Sequence, residues 1–243
     1  MHQEFRGVRI MAYSNIKDSS EHFHTQFYTG NGTAIGSGGN AITNNANSGN
    51  FKPDWTWHKV RSTANDHQVY DSSRGVKIRL NPNATNSDFT LNEGLQSFDT
   101  NGFTVGSDGG VNSNSQTYVA WQWKANGGTT ASNTSGSITS TVQANTTAGF
   151  SIVDYTGTGA QGTIAHGLGA KPEAILIKGR DDGHSWNVKH PGAGTEVLLL
   201  ETTDAGSSGS SEFNNTAPTS SVFTVKSAGG TNEDGEKLSL IHI

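Results

Sequence analysis

Phe51-Lys52-Pro53-Asp54-Trp55-Thr56-Trp57-His58-Lys59-Val60-Arg61 is answered later in the chain by Ala170-Lys171-Pro172-Glu173-Ala174-Ile175-Leu176-Ile177-Lys178-Gly179-Arg180. The two prolines lie 119 positions apart (172 − 53). Each precedes a short run that alternates or stays apolar, which marks the opening of a strand, where a missing N–H is tolerated. In the first copy Trp55 and Trp57 share one face and Thr56 and His58 the other, whereas Ala174-Ile175-Leu176-Ile177 is apolar on both.

Working outward, Gly102-Phe103-Thr104-Val105 and Gly109-Gly110-Val111-Asn112 return as Val222-Phe223-Thr224-Val225 and Gly229-Gly230-Thr231-Asn232, offset by 120 (223 − 103). Tyr28-Thr29-Gly30 returns as Tyr155-Thr156-Gly157, offset by 127 (155 − 28). A period this long means two tandem copies of a domain-sized unit rather than solenoid repeats. Val119, Trp121 and Trp123 share a face of a further strand, Thr117 to Lys124. The reading is an all-β chain of two tandem antiparallel β-sandwich, jelly-roll-like units. The first occupies 14–125 and the second 149–243, with a Gly/Ser/Thr/Asn-rich linker at 126–148 and a non-native or disordered leader at 1–13, Met11 being an alternative start.

The second copy should close on a strand like Tyr118-Val119-Ala120-Trp121-Gln122-Trp123 but reads Leu238-Ser239-Leu240-Ile241-His242-Ile243. Residues 238–243 resemble the translation of a transposase adapter used in sequencing libraries. The second unit is therefore expected to be truncated, with an unpaired edge where its last strand belongs.

Composition fits a sheet protein. Gly, Ser, Thr and Asn make up about 44% of the 243 residues, and the hydrophobic share is 31%, against roughly 45% in an average domain, so long helices are not expected and the core must be thin and layered. A net charge of −5 without a Lys/Arg cluster argues against a surface that tracks phosphates, so no nucleic-acid partner is expected. No apolar run approaches about eighteen residues, so no membrane partner is expected either. With no cysteine, disulfide frameworks, thiol nucleophiles and Cys-based zinc sites are excluded.

Several residues invite chemistry. Gly157, Gly159 and Gly162 satisfy the dinucleotide-binding spacing, but Gly167, Gly169 and Pro172 follow where a helix is required, so a hairpin turn is expected. His22 and His24 could offer two imidazoles to a metal without an evident third ligand. His184 and His190, near Asp181 and Asp182, read as loop chemistry around Asp182-Gly183. His58 and His67 have Ile177 and Trp186 as counterparts, which favours packing. Trp55, Trp57, Trp121 and Trp123 could stack on sugars, yet the first two correspond to Ala174 and Leu176, so interior packing is the expectation. Asp66, Asp71, Asp88, Glu93, Asp99 and Asp108 supply carboxylates without the spacing that would prove a hydrolytic pair. Ser107-Asp108-Gly109 and Asn232-Glu233-Asp234-Gly235-Glu236 read as tight turns, not calcium loops. No catalytic, cofactor-binding or metal residue is assigned, and no cofactor is expected.

Tyr28-Thr29-Gly30-Asn31-Gly32, Phe51-Lys52-Pro53-Asp54-Trp55, Tyr70-Asp71-Ser72-Ser73-Arg74-Gly75, Leu95-Gln96-Ser97-Phe98-Asp99, Gly102-Phe103-Thr104-Val105-Gly106 and Tyr118-Val119-Ala120-Trp121 resemble a domain of tailed phages of aquatic bacteria. His166-Gly167-Leu168-Gly169-Ala170-Lys171-Pro172, Lys178-Gly179-Arg180 and Trp186 are similar to the same family's pattern. The resemblance runs from about Ser14 to Lys237. It implies a non-enzymatic virion structural or tail-associated protein, part of a tail fibre or receptor-binding assembly made in the host bacterial cytoplasm. Its implied partners are other virion proteins, a host-surface glycan or protein, and further copies of itself. The rival readings are a carbohydrate-binding module of a secreted bacterial protein and a polysaccharide hydrolase.

Overall fold

The computed structural model describes residues 16, 18–45 and 51–242, so the expected leader 1–13 and the alternative start lie outside the described residues. In chain order the first unit contains β1 (Phe23–Thr29), β2 (Asn40–Thr43), β3 (Trp55–Val60), β4 (Gln68–Asp71), β5 (Ile78–Arg79), β6 (Phe89–Thr90), β7 (Leu95–Asp99), β8 (Gly102–Val105), the one-turn helix α1 (Gly109–Asn112) and β9 (Thr117–Trp123). Then follow β10 (Ala131–Asn133), β11 (Ser140–Asn145), β12 (Phe150–Thr156), β13 (Gly162–Ala165), β14 (Ile175–Gly179), β15 (Asn187–Lys189), β16 (Glu196–Leu199), β17 (Ser207–Ser208), β18 (Val222–Val225), α2 (Gly229–Asn232) and β19 (Lys237–His242). The chain is all-β, and every pairing between these strands is antiparallel.

The duplication is visible in the pairing. One sheet has the order β1-β9-β3-β4, and the core of the eight-stranded sheet repeats it as β12-β19-β14-β15. Tyr28 stands opposite Tyr118 and Tyr155 opposite Leu238; Trp57 stands opposite Trp121 and Leu176 opposite Ile241. These registers preserve the sequence offsets in each strand. The same knot of bonds closes both units. Tyr28 donates its hydroxyl to the Val111 carbonyl at 2.8 Å, and Tyr155 to the Thr231 carbonyl at 2.5 Å. The Asn31 N–H donates to Asn112 Oδ1 and the Thr158 N–H to Asn232 Oδ1, each at 2.9 Å. Both asparagines are fully buried, and their carboxamides satisfy loop groups that would otherwise lack partners. The glycine two residues after each tyrosine is obligatory, because a Cβ on Gly30 would strike the Ser113 carbonyl and one on Gly157 the Glu233 carbonyl.

Strand alternation sends the two faces of each large sheet to different cores. Tyr70, Ala120 and the partly buried Tyr28 pack with Phe98, Phe103 and Val105 of the β2-β8-β7 sheet. Val153, Tyr155, Ile177 and Leu240 pack with Ile164, Phe223 and Val225 of the β13-β18 pair. The remaining faces meet each other, so Trp55 and Val69 of the first unit share a third core with Phe150, Ile152, Trp186 and Ile241 of the second. The Phe150 ring lies 6.1 Å from Trp123 and 6.3 Å from Trp55, and Trp186 donates its indole N–H to the Asn81 carbonyl at 2.9 Å. Ions border this core. Arg180 donates to Asp88 at 2.7 Å and lies 3.6 Å from Asp154.

Two expectations need correction. The segment 126–148 is no linker: it carries β10 and β11, which extend the second sheet next to β12. Buried Gln143 pins it to the first unit, donating to Ser72 and Ser73 at 2.9 and 3.0 Å and accepting from the Gly128 N–H at 2.8 Å. Nor is an edge left open by 238–243. Residues 237–242 fill the slot between β12 and β14 that β9 fills in the first unit, because the spacing of Leu238 and Leu240 places both in the second core while Ile241 faces the middle one.

Candidate functional site

The faces that meet in the middle are equivalent but packed out of step. Phe150 corresponds to Phe23 and Leu176 to Trp57 by the offsets above, yet Phe150 is buried whereas Phe23 is 36% exposed. The second sheet covers Trp55 and part of Trp123 and leaves the rest of the aromatic face uncovered. What remains is an open groove of about 310 Å³ lined by Phe23, Trp57, His67, Trp121 and Trp123. Its residues come from neighbouring strands in register: Trp121 of β9 stands opposite both Thr25 and Trp57, and Trp123 opposite both Phe23 and Trp55.

The rings in the groove pack edge to face or tilted. Trp57 and Trp121 lie 6.3 Å apart at 81°, Phe23 and Trp123 4.7 Å apart at 59°. Trp57 donates its indole N–H to His67 Nδ1 at 2.8 Å, which fixes the tautomer with Nε2 carrying the proton of the neutral ring. Burial, then the nearby Lys59 charge, lower the pKa of His67, favouring that neutral form. The polar rim beside His67 is organised: its backbone N–H donates to Asn83 Oδ1, whose side-chain amide donates to Asp66, each at 2.9 Å. An apolar floor with a hydrogen-bonding rim is the ordinary composition of a site for an amphipathic ligand.

Trp55, 3% exposed, is interior filling, and the partly buried Trp57 and Trp123 pack against the same middle core, as expected; Trp57, Trp121 and Trp123 nevertheless keep part of their rings on the groove. His58 is a core residue. It is fully buried against Phe103 and Tyr70, 2.9 Å from the Thr56 hydroxyl, and burial lowers its pKa to about 3. His22 lies beside Asn145 and His24 beside Gln26, and among the described residues the two do not converge on a third ligand. Gly157, Gly159 and Gly162 lead into β13, not into a helix.

The six first-unit carboxylates singled out from the sequence each bond to neighbouring groups. Asp66 receives Asn83, Asp71 pairs with Arg74, Asp88 pairs with Arg180, and Glu93 receives the Ser107 N–H. Asp99 receives Ser97 and Thr104, and Asp108 caps α1 while receiving Gln68. His184 and His190 separate: His190 accepts the Gly192 N–H of its own turn, while His184 joins Asp182 with Glu233 and Glu236. The sequence shows the two halves of this second grouping separately, His184 beside Asp182 and the acidic turn Glu233 to Glu236, but not that they meet, since they lie about fifty residues apart and come together only once β14 and β19 have paired.

No curated protein and no solved structure matches the chain. Residues 18–240, spanning both units, match the family described as "Domain of unknown function (DUF7483)", and the chain belongs to that family.

Proposed function

We propose that the protein is a non-enzymatic structural component of a tailed-phage particle that holds a host-surface glycan in the aromatic groove of its first unit. The groove carries this reading: partly exposed indole faces match the C–H faces of a sugar ring, and His67 with its bonded neighbour Asn83 stands beside them for its hydroxyls. The resemblance of both units to virion structural proteins supports the particle assignment. Bonding of Asp66, Asp71, Asp88, Glu93, Asp99 and Asp108 to neighbouring groups counts against the hydrolase alternative.

The test is binding of the full chain to bacterial surface polysaccharides on an array, followed by titration calorimetry. Trp121→Ala and Trp57→Ala should each weaken binding at least about tenfold, the equivalent of about 1.4 kcal/mol. Failure of every glycan to bind saturably, or equal binding by both variants, defeats the groove. Co-sedimentation with purified virions separates the particle assignment from the carbohydrate-binding module of a secreted protein, which binds glycan but leaves the particles in the supernatant.

A further inference from the structure

On the second unit, away from the groove, the loop after β14 brings Asp182 and His184 against Glu233 and Glu236 from the turn between α2 and β19. One ligand atom from each lies within 4.8 Å of the others. Donors fall short of acceptors. His184 Nε2 lies 2.8 Å from Asp182 and 2.9 Å from Glu233, so a single ring N–H faces two carboxylates. Glu236 is 6% exposed and neither of its carboxylate oxygens meets a donor; the polar group it faces is a second carboxylate, that of Asp182. The nearby ammonium of Lys178 donates to the Gly179 and Asp182 carbonyls instead. An unpaired buried carboxylate costs several kcal/mol unless it is protonated or meets a cation.

The first unit shows that the fold does not require this arrangement. Its equivalent positions are Thr63, Asn65, Ser113 and Gln116, all neutral, and there Ser62 clasps Gln116 through one hydrogen bond of 2.6 Å. Room for the acidic version comes from Gly179, which stands where the first unit has Val60; a Cβ there would strike Glu236 Oε1. The second unit has thus exchanged a neutral clasp for three carboxylates and an imidazole around a space freed of a side chain. A cleft of about 280 Å³, lined by His184, Asn187, Glu212 and Gly229 among others, opens beside it.

We infer that Asp182, His184, Glu233 and Glu236 form a binding site for one divalent transition-metal cation, with Zn²⁺ the best probe of the class. One imidazole nitrogen and three carboxylate oxygens suit zinc or manganese, and a tetrahedral site with bonds of about 2.1 Å needs its donors about 3.4 Å apart, a small contraction of the present cluster. The cation would join the β14 loop to the turn leading into β19, as the Ser62–Gln116 bond joins the corresponding loops of the first unit.

The experiment uses the full chain, treated with chelator and dialysed. Titration calorimetry with Zn²⁺ should show one site per chain and a metal-dependent rise in Tm. His184→Asn and Glu233→Gln, both at exposed side chains, should weaken Zn²⁺ binding at least about 100-fold while the metal-free Tm stays near that of the parent. Glu236→Gln should raise the metal-free Tm and abolish the response to Zn²⁺, a pair of effects that a purely structural carboxylate would not give. Absence of saturable binding at millimolar Zn²⁺, or binding of equal strength by the His184→Asn and Glu233→Gln proteins, overturns the site.

Discussion

Trp186→Ala tests whether the two units are one cooperative body. The indole is 3% exposed, packs in the middle core with Trp55, Leu80 and Phe150, and donates to the carbonyl of buried Asn81 in the other unit. Truncating a buried tryptophan to alanine costs roughly 3–5 kcal/mol, and the Asn81 carbonyl left without its donor adds about 1 kcal/mol or more. A total of about 5 kcal/mol corresponds to a Tm lower by about 10–20 °C in a chain of this size. Trp186→Phe keeps a six-membered ring but loses the rest of the indole with its hydrogen bond, so its loss should be smaller, about 2–3 kcal/mol. Differential scanning calorimetry reads both quantities. In the parent the calorimetric and van't Hoff enthalpies should agree, and in Trp186→Ala their agreement should fail as the halves begin to melt separately. If Trp186→Ala lowers Tm by less than about 3 °C, or if the parent already melts in two steps, the shared core does not hold the units together.

Asn112→Ala and Asn232→Ala should each cost about 2 kcal/mol in chemical denaturation, because each buried carboxamide bonds several loop groups at once; a neutral result at either would break the equivalence of the two knots. Asp154 sits at the unit boundary with its pKa raised to about 7 by burial and by Asp71, against the opposing pull of Arg180. Because the folded carboxyl holds its proton to higher pH than the unfolded one, its contribution to stability falls as pH rises from about 4 to about 7. Asp154→Asn should flatten that part of the stability–pH curve relative to the parent, and superimposable slopes would refute the assignment.

How much the sequence discloses depends on whether the information is local or shared. The duplication is legible because Tyr-Thr-Gly and Gly-Gly-x-Asn each encode one half of a hydrogen-bonded knot, so both halves must recur together. The strand after Pro53 is legible from alternation alone. Segment 126–148 misleads because β11 buries Gln143 and Ser140 rather than a run of aliphatic residues, using polar groups to bond the neighbouring unit and the β13 end. The indoles are legible only in part, for a different reason. Comparing Trp57 with Leu176 identifies the right face, but no alignment of the halves shows that the faces pack out of step, and that displacement decides which rings meet solvent. The acidic grouping around His184 is legible only as two separate loops, for a third reason: strand order alone joins them.

The meeting of two equivalent faces has a consequence for any single copy. A unit severed near residue 125 would present the Trp55 and Trp123 indoles to water, together with the rest of that sheet face, and would seek a second molecule to cover them. Tethered in one chain, each half has its mate at an effective concentration in the millimolar range, whatever the dilution of the protein. The mate is therefore guaranteed by covalent linkage and not by symmetry. Such linkage leaves one copy free to bare part of its aromatic face and the other free to gather acids in its loops.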